Sequence, residues 1–396
     1  MTPIVNLVAD APESKFSDFH LNASPLPTQS SFSLVLLLTM SGPMTTAILT
    51  SIAIAAVSFI AFRMLFSRKD QFPIDGLTAV VTGGSQGLGL AIAQELSSRG
   101  ANVVIVAQDK SKLSRAVGTI RARAATTQQK FLDLSFDLRS PESAPAILEQ
   151  VTQWNNGQAP DLVFCCAGNC QPAFFADANI DTLRGQMDTI YWSSAYMAHA
   201  ALNLWKKPSA PDSKKSTSFP TRHIVFTCST LAFLPVAGYS PYSPAKAAMK
   251  AMADGLNQEV AVYNGARQGS GPAPDADIAI HILFPCGIMT PGFENENKIK
   301  PELTVMLEKD DKPQQPEEIA RIALNRLSAG DFMISTLFLG HLLRGVGMAG
   351  SVRKNFMDVF WNWLGSVVII FAAPDLLSKC RTWGKQKGMN ATRAAT

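Results

Sequence analysis

LTAVVTGGSQGLGLAIAQELSSRGANVVIVAQD, residues 77–109, decides the fold. It reads as an apolar run, a glycine-rich turn, an amphipathic stretch, Gly100 and a second apolar run, which is the order of a βαβ unit. Within the turn, Gly83 permits the tight bend, Gly87 lets backbone approach a pyrophosphate, and Gly89 allows the helix to pack closely on the strand. The helix N-terminus then turns its free amides toward the phosphates. A fully apolar strand followed by a helix and another such strand predicts an α/β domain, a doubly wound parallel sheet with helices on both faces.

A second constellation lies downstream. Ser229 ends an apolar run, HIVFTCS, and thirteen residues later Tyr242 opens Tyr-x-x-x-Lys with Lys246. A tyrosine hydroxyl titrates near pH ~10 and needs a fixed positive charge to stabilise its phenolate. If 241–259 is helical, the i, i+4 spacing puts Tyr242 and Lys246 on one face, with Ser229 arriving from a strand end. Such a set can protonate a carbonyl oxygen, although an exposed Tyr-Lys pair on a helix has the same spacing.

Together the motifs resemble the short-chain dehydrogenase/reductase family over about residues 76 to 336. The family's Thr-Gly-x-x-x-Gly-x-Gly pattern matches Thr82 to Gly89, and its Ser, Tyr and Lys match Ser229, Tyr242 and Lys246. CCAG at 165–168 is similar to the family's Asn-Asn-Ala-Gly stretch, Asp137 in SFDL to its adenine-contacting aspartate, and PCGIMT at 285–290 to the loop whose threonine holds the carboxamide. The resemblance implies a Rossmann-type fold with catalytic Ser229, Tyr242 and Lys246, the last two also touching the cofactor. The expected cofactor residues are Thr82, Gly83, Gly84, Ser85, Gln86, Gly87, Leu88 and Gly89 in the turn, then Gln108, Lys112, Asp137, Leu138, Ala167, Gly168, Pro285, Gly287 and Thr290. Ala107 stands where an acidic residue would repel a 2′-phosphate, so NADPH is the expected cofactor, with Lys110 and Lys112 supplying charge and Asp109 opposing it. The family's usual asparagine on the fourth helix is replaced by Ile190 in MDTIYWSS. In relatives that residue supports a helix distortion whose carbonyl holds a relay water, and a carbonyl survives the substitution.

Composition sets the surroundings. The chain of 396 residues has room for one large α/β domain plus extensions, and its net charge of +4 carries no nucleic-acid footprint. Its six cysteines show no metal-like spacing and read as small core residues of a reducing compartment. No metal site is expected. Pro/Ser/Lys-rich 206–222 and Gly/Pro-rich 264–277 read as surface loops.

Residues 1–43 show little regular pattern, and Met40 and Met44 leave the start of translation open. MTTAILTSIAIAAVSFIAF, at 44–62, is uncharged and long enough to cross a bilayer of ~30 Å at about 1.5 Å per residue. With its flank it gives an expected transmembrane helix over 44–66. Arg63, Arg68 and Lys69 follow and put the downstream domain in the cytosol, with a cleaved secretory signal as the rival reading. Residues 337–351 read as an apolar helix on the membrane or in the core. Within the apolar 337–374 region, 356–374 is flanked by positive charge on both sides, which favours an interfacial or re-entrant helix over a span, and 375–396 forms a basic tail.

Within the family, VVTGGSQGLGLAIAQEL, YSPYSPAKAAMKAMADGLNQEV and FPCGIMTPGFENENKIKPELT are similar to members, especially fungal ones, that reduce a long-chain 3-ketosphingoid base. That implies NADPH-dependent conversion of 3-ketodihydrosphingosine to dihydrosphingosine in de novo sphingolipid biosynthesis, at the endoplasmic reticulum membrane with the catalytic domain facing the cytosol. Another lipid ketone, a retinoid or a steroid, and a cofactor-binding scaffold without turnover are the other readings open to the sequence. A homo-oligomer is possible through Met187, Ile190, Tyr191, Ala195 and Met249, residues that serve equally well as core.

Overall fold

The computed structural model describes residues 71–208 and 220–388. The expected helix at 44–66, the 1–43 segment, most of the 206–222 insert and the last residues of the tail lie outside them.

The quoted stretch folds as read: β1 (Thr78–Thr82), α1 (Gly87–Ser98) and β2 (Asn102–Ala107). Next come α2 (Lys110–Arg121), β3 (Phe131–Ser135), α3 (Ser143–Trp154) and β4 (Leu162–Cys165). A continuous helical rod is then built from α4 (Ile180–Gln186), a π-helical turn (Met187–Trp192) and α5 (Ser193–Trp205). β5 (Arg222–Thr227), a 3₁₀ turn (Thr230–Ala232), α6 (Ser243–Gln268) and β6 (Ile278–Phe284) follow. The chain finishes with α7 (Pro291–Asn297), α8 (Glu302–Leu307), α9 (Pro316–Ser328), β7 (Met333–Ser335), α10 (Phe338–Gly347) and α11 (Phe356–Lys387).

All seven strands pair in parallel in the order β3-β2-β1-β4-β5-β6-β7. The order reverses between β1 and β4, where the two adjacent connections leave on opposite faces and open a crevice at the strand ends. β1 and β4 are buried along their whole length, which is why apolar residues fill β4 and the middle of β1 between Thr78 and Thr82. The two faces of the sheet hold separate cores, one around Val80, Phe226 and Trp205 and the other around Val81, Ile105 and Leu324.

Three expectations change. α6 continues to Gln268, beyond the predicted end at 259 and into the segment read as a loop from 264, because the Asn264 side chain bonds both the N–H and the carbonyl of Ile278 at 2.8 and 2.9 Å. α10 is half a core helix: Leu342 and Leu343 are buried and Phe338 is exposed. α11 does not stop before the basic tail but runs through Pro374 to Lys387. Gly365 meets Leu342 of α10 on one side of the proline, and Leu376, Cys380 and Trp383 join an apolar cluster with Leu303 and Leu307 on the other. Docking on both sides compensates for the hydrogen bond that proline cannot make.

Candidate active site

The crevice at the sheet's switch point opens into a cavity of ≈ 900 Å³. Its floor is the glycine turn. Gly83 has φ +66°, and a Cβ there would come within 2.9 Å of Ala167 Cα, so the turn lies directly against the loop after β4. A Cβ on Gly89 would collide with the Gly83 carbonyl oxygen. Thr82 is buried below the cavity: its hydroxyl donates to the Phe164 carbonyl at 3.3 Å and accepts from the Cys166 and Ala167 amides. Gly84 packs against Ile105. Ser85, Gln86, Gly87, Leu88, Ala167 and Gly168 line the open space. The roof descends from β6: Pro285, Gly287 and Thr290 line the same cavity, and Thr290 sits over Gly87, where a Cβ would be 3.1 Å from its methyl. The Thr290 hydroxyl accepts from the Phe293 amide at 3.1 Å and caps α7.

At the β2 end, Gln108 and Lys112 reach the cavity, and Lys112 Nζ lies 3.2 Å from Gln86 Oε1 across the glycine turn. Asp109 is occupied in capping α2, accepting from the Lys112 amide at 3.0 Å and the Ser111 hydroxyl at 2.7 Å. Asp137 and Leu138 border the same end, and Arg139 grips Asp137 with bonds of 2.9 and 2.6 Å. That contact holds the Asp137 carboxyl down at about 2. Arg139 escaped the sequence reading, which offers only an Asp-x-Arg spacing as a signal.

Ser229, Tyr242 and Lys246 meet on the cavity wall. Ser229 follows β5 and caps the 3₁₀ turn, its hydroxyl accepting from the Leu231 amide at 3.2 Å. Tyr242 is the residue before α6 rather than within it. It shares a side-chain hydrogen bond with Ser229, which opposes a strong upward push on its pKa from burial and from Cys170 and Glu296. Lys246 is buried, which lowers its pKa; its Nζ donates to the Thr227 carbonyl at 2.7 Å and lies 5.6 Å from the Tyr242 ring centroid. The lysine is thus anchored to β5 beside the tyrosine.

Ile190 lies fully buried in the core inside the π-helical turn, so the helix distortion is present without an asparagine. π turns of this kind recur at functional sites. The Ile190 carbonyl accepts from the Ser194 hydroxyl at 3.0 Å, and Thr189 of the turn and Ser193 at the start of α5 line the cavity. Ile190 and Met249 face the core. Cys165 ends β4 and is buried, whereas Cys166 reaches the cavity and accepts from the Thr227 hydroxyl at 3.2 Å. Burial pushes the Cys166, Cys228 and Cys286 thiols up to about 11, which makes them poor nucleophiles.

From the sequence, the side of the cavity beyond Tyr242 is expected only as the 232–240 and 286–315 loops, without its individual residues. Tyr239, Phe293, Glu296, Lys300 and Glu308 come together there from the 3₁₀ region, α7 and α8. The Glu296-Lys300 spacing of four was a visible but unspecific signal.

Residues 77–297 match the family model described as short chain dehydrogenase. Among curated proteins, the chain is 46% identical over 336 residues to 3-ketodihydrosphingosine reductase ksrA of Aspergillus fumigatus, covering 84% of this chain and 91% of that protein. It is 36% identical to 3-ketodihydrosphingosine reductase gsl-3 of Neurospora crassa, covering 85% and 90%. The fold also matches solved structures: a short chain dehydrogenase/reductase from Burkholderia phymatum in complex with NAD, at TM-score 0.53 and 17% identity over 74% of this chain and 96% of that one, and L-sorbose reductase from Gluconobacter frateurii complexed with NADPH and L-sorbose, at 0.52 and 20% over 68% and 98%. The chain belongs to the short-chain dehydrogenase/reductase family and, within it, resembles the 3-ketodihydrosphingosine reductases.

Proposed function

We propose that this chain reduces the 3-keto group of 3-ketodihydrosphingosine to the hydroxyl of sphinganine, drawing on NADPH, at the cytosolic surface of the endoplasmic reticulum membrane. The observation that carries the reading is the convergence of Ser229, Tyr242 and Lys246 on one cavity wall in a chain so similar to reductases of that name.

A dinucleotide fits the groove: Gly83, Gly87 and Gly89 keep the turn free of side chains, with Gly87 directly below Thr290, and one cavity of ≈ 900 Å³ is lined by both Gln108 and Lys246. Ser85, Gln86, Gly87 and Leu88 would hold the pyrophosphate at the start of α1, Asp137 and Leu138 the adenine end, and Ala167, Gly168, Pro285, Gly287 and Thr290 the nicotinamide half. Thr82 and Gly84 shape the turn from beneath. Reduced nicotinamide supplies a hydride when bound. NADPH is preferred over NADH because Lys112 stands at the rim beside Gln86 while Asp109 is committed to its cap.

Tyr242 donates its proton to the carbonyl oxygen as negative charge develops there, and Ser229 positions and polarises the same oxygen. Burial keeps the Tyr242 hydroxyl protonated until that moment, which suits an acid working in the reductive direction. Lys246, fixed by Thr227, stands beside the ring to stabilise the phenolate that results. The π-helical turn leaves Thr189 and Ser193 at the cavity as candidates for the route by which the proton is restored.

The membrane reading draws on α11. Among the described residues it is the one helix long and apolar enough to cross a bilayer. Phe356, Phe360, Trp363, Val367 and Ile370 are exposed and recur at spacings of three and four, forming a stripe along one face. Asp358, Gly365 and Ala372 are buried against the protein. A helix docked along one face and apolar along the other lies on a membrane rather than through it. Its docked end packs with Leu303, Leu307 and Tyr239, beside the cavity, and this gives a long alkyl chain an apolar path from the bilayer, where each methylene is worth ~0.8 kcal/mol. The residue 44–66 segment serves as the transmembrane anchor and 76–336 as the reductase domain.

The test is sphinganine formation by purified full-length protein in lipid nanodiscs with NADPH and with NADH. Product with a kcat/KM at least tenfold higher for NADPH is expected. NADPH binding without product from this ketone would overturn the assignment.

A further inference from the structure

The substrate just proposed carries a primary amine on the carbon next to its ketone, and the cavity beyond Tyr242 carries an unusual arrangement of charge. Lys300 is almost fully enclosed, its side chain 3% exposed, with its ammonium 3.1 Å from Glu296 Oε1 and 2.7 Å from Glu308 Oε2. It rests over the Phe293 ring at 4.5 Å. Two carboxylates on one ammonium leave this wall with an unmatched negative charge, which is costly where the groups are shielded from water. Lys309 and Asp311 also line the cavity but are opposite in sign and cancel. Burial pushes the Glu308 carboxyl up, against the opposing pull of Lys300.

The excess charge lies next to the reacting centre. The Tyr239 hydroxyl donates to Glu296 Oε1 at 2.6 Å, and the Tyr239 ring centroid is 6.2 Å from that of Tyr242. Both this bond and the Lys300 contact fall on Glu296 Oε1, and the Cys170 thiol also bonds the Glu296 side chain. Tyr239 packs in an apolar cluster with Leu231, Val236, Leu303 and Leu307, of which Leu231 lines the cavity. The wall therefore holds the proton donor and negative charge close together.

We infer that Glu296 and Glu308, braced by Lys300, form a subsite for the primary ammonium adjacent to the substrate ketone and so select free long-chain amino ketones over uncharged lipid ketones and N-acylated ones. The inference rests on the proposed function and adds the recognition element. With its carbonyl oxygen at Tyr242, a substrate amine one carbon away falls beside the carboxylates and supplies their missing cation. An amide at the same position carries no charge and adds bulk, so it leaves the carboxylates unmatched.

The experiment compares 3-ketodihydrosphingosine with its N-acetyl derivative and with the desamino 1-hydroxy-3-ketone of equal chain length, following NADPH consumption by the full-length protein in nanodiscs. Wild type is expected to show kcat/KM at least tenfold lower for both analogues, the loss of one charged hydrogen bond. Glu308→Gln and Glu296→Gln should each raise KM for the amine about tenfold or more and leave KM for the desamino ketone within twofold, with NADPH binding by fluorescence reporting an intact fold. Equal kcat/KM for amine and desamino ketone in wild type would overturn the subsite, as would variants that raise both KM values together. The wild-type comparison decides alone if the variants fail to bind NADPH. Wild type that binds NADPH but turns over none of the three contradicts the proposed function itself, and the subsite with it.

Discussion

Replacing Asp358 by Ala would remove one half of the ion pair that fastens α11 to the reductase core. Asp358 Oδ1 accepts from Arg344 Nη2 at 2.7 Å, and the two side chains are 6% and 8% exposed. Its second oxygen accepts from the Lys354 amide at 2.8 Å. Without it, Arg344 keeps only a long contact to the Met333 carbonyl, 3.4 Å, and its Nε already lacks a partner. Stranding a buried charge costs about 3 to 5 kcal/mol, which for a domain of this size lowers Tm by roughly 6 to 15 °C. The assay is thermal unfolding followed by circular dichroism with saturating NADPH. A double replacement, Arg344→Leu with Asp358→Leu, removes both charges and should recover at least half of the loss. A Tm within 2 °C of wild type for the single variant, or a double variant no better than the single one, would refute the view that α11 is docked through this pair.

Other outcomes follow from the same structure. The stacked pair His223 and His281, 2.9 Å apart between ring nitrogens, is buried, and burial lowers both pKa values, that of His281 from 6.5 to about 4. Folded His281 therefore resists protonation. Its stabilising contribution is complete above pH 6.5 and is lost as pH falls toward 4, at up to ~1.36 kcal/mol per pH unit for each histidine. Urea midpoints measured from pH 7.5 to 5 should fall accordingly, and His223→Leu with His281→Leu should flatten that slope. Gly89→Ala forces α1 away from the Gly83 carbonyl, so NADPH affinity measured by fluorescence should drop at least tenfold, an overpacking cost of about 1 to 3 kcal/mol. Lys112→Glu should raise KM for NADPH at least tenfold and leave KM for NADH within threefold; equal changes would remove Lys112 from phosphate recognition.

The cofactor half of the molecule was legible because its signals are local. A β-strand, a glycine turn and a helix in immediate succession fix one another, and each glycine in the turn has a neighbour that a side chain would strike. The Ser229, Tyr242 and Lys246 set was legible for the same reason, with two of its members four residues apart. Of the substrate half only the 232–240 and 286–315 loops were legible, not their charged cluster, because Glu296 and Lys300 meet Glu308 only after α7 and α8 have folded back over Tyr239. Charged residues in ENENKIKPE look solvated until the fold encloses them. Helix ends were misread where a side chain acts at a distance, as Asn264 does on β6 and as Gly365 and Trp383 do in carrying α11 through Pro374. The π-helical turn carries no composition of its own, and only resemblance pointed to a distortion at Ile190.

In the proposed mechanism Tyr242 is the proton donor to a ketone held in this cavity. Its most direct test is Tyr242→Phe, assayed for sphinganine formation from 3-ketodihydrosphingosine and, separately, for NADPH binding by fluorescence. Loss of the hydroxyl should lower kcat by about 10² to 10⁴ while the dissociation constant for NADPH stays within a few fold. A variant that retains kcat within tenfold of wild type would contradict the account.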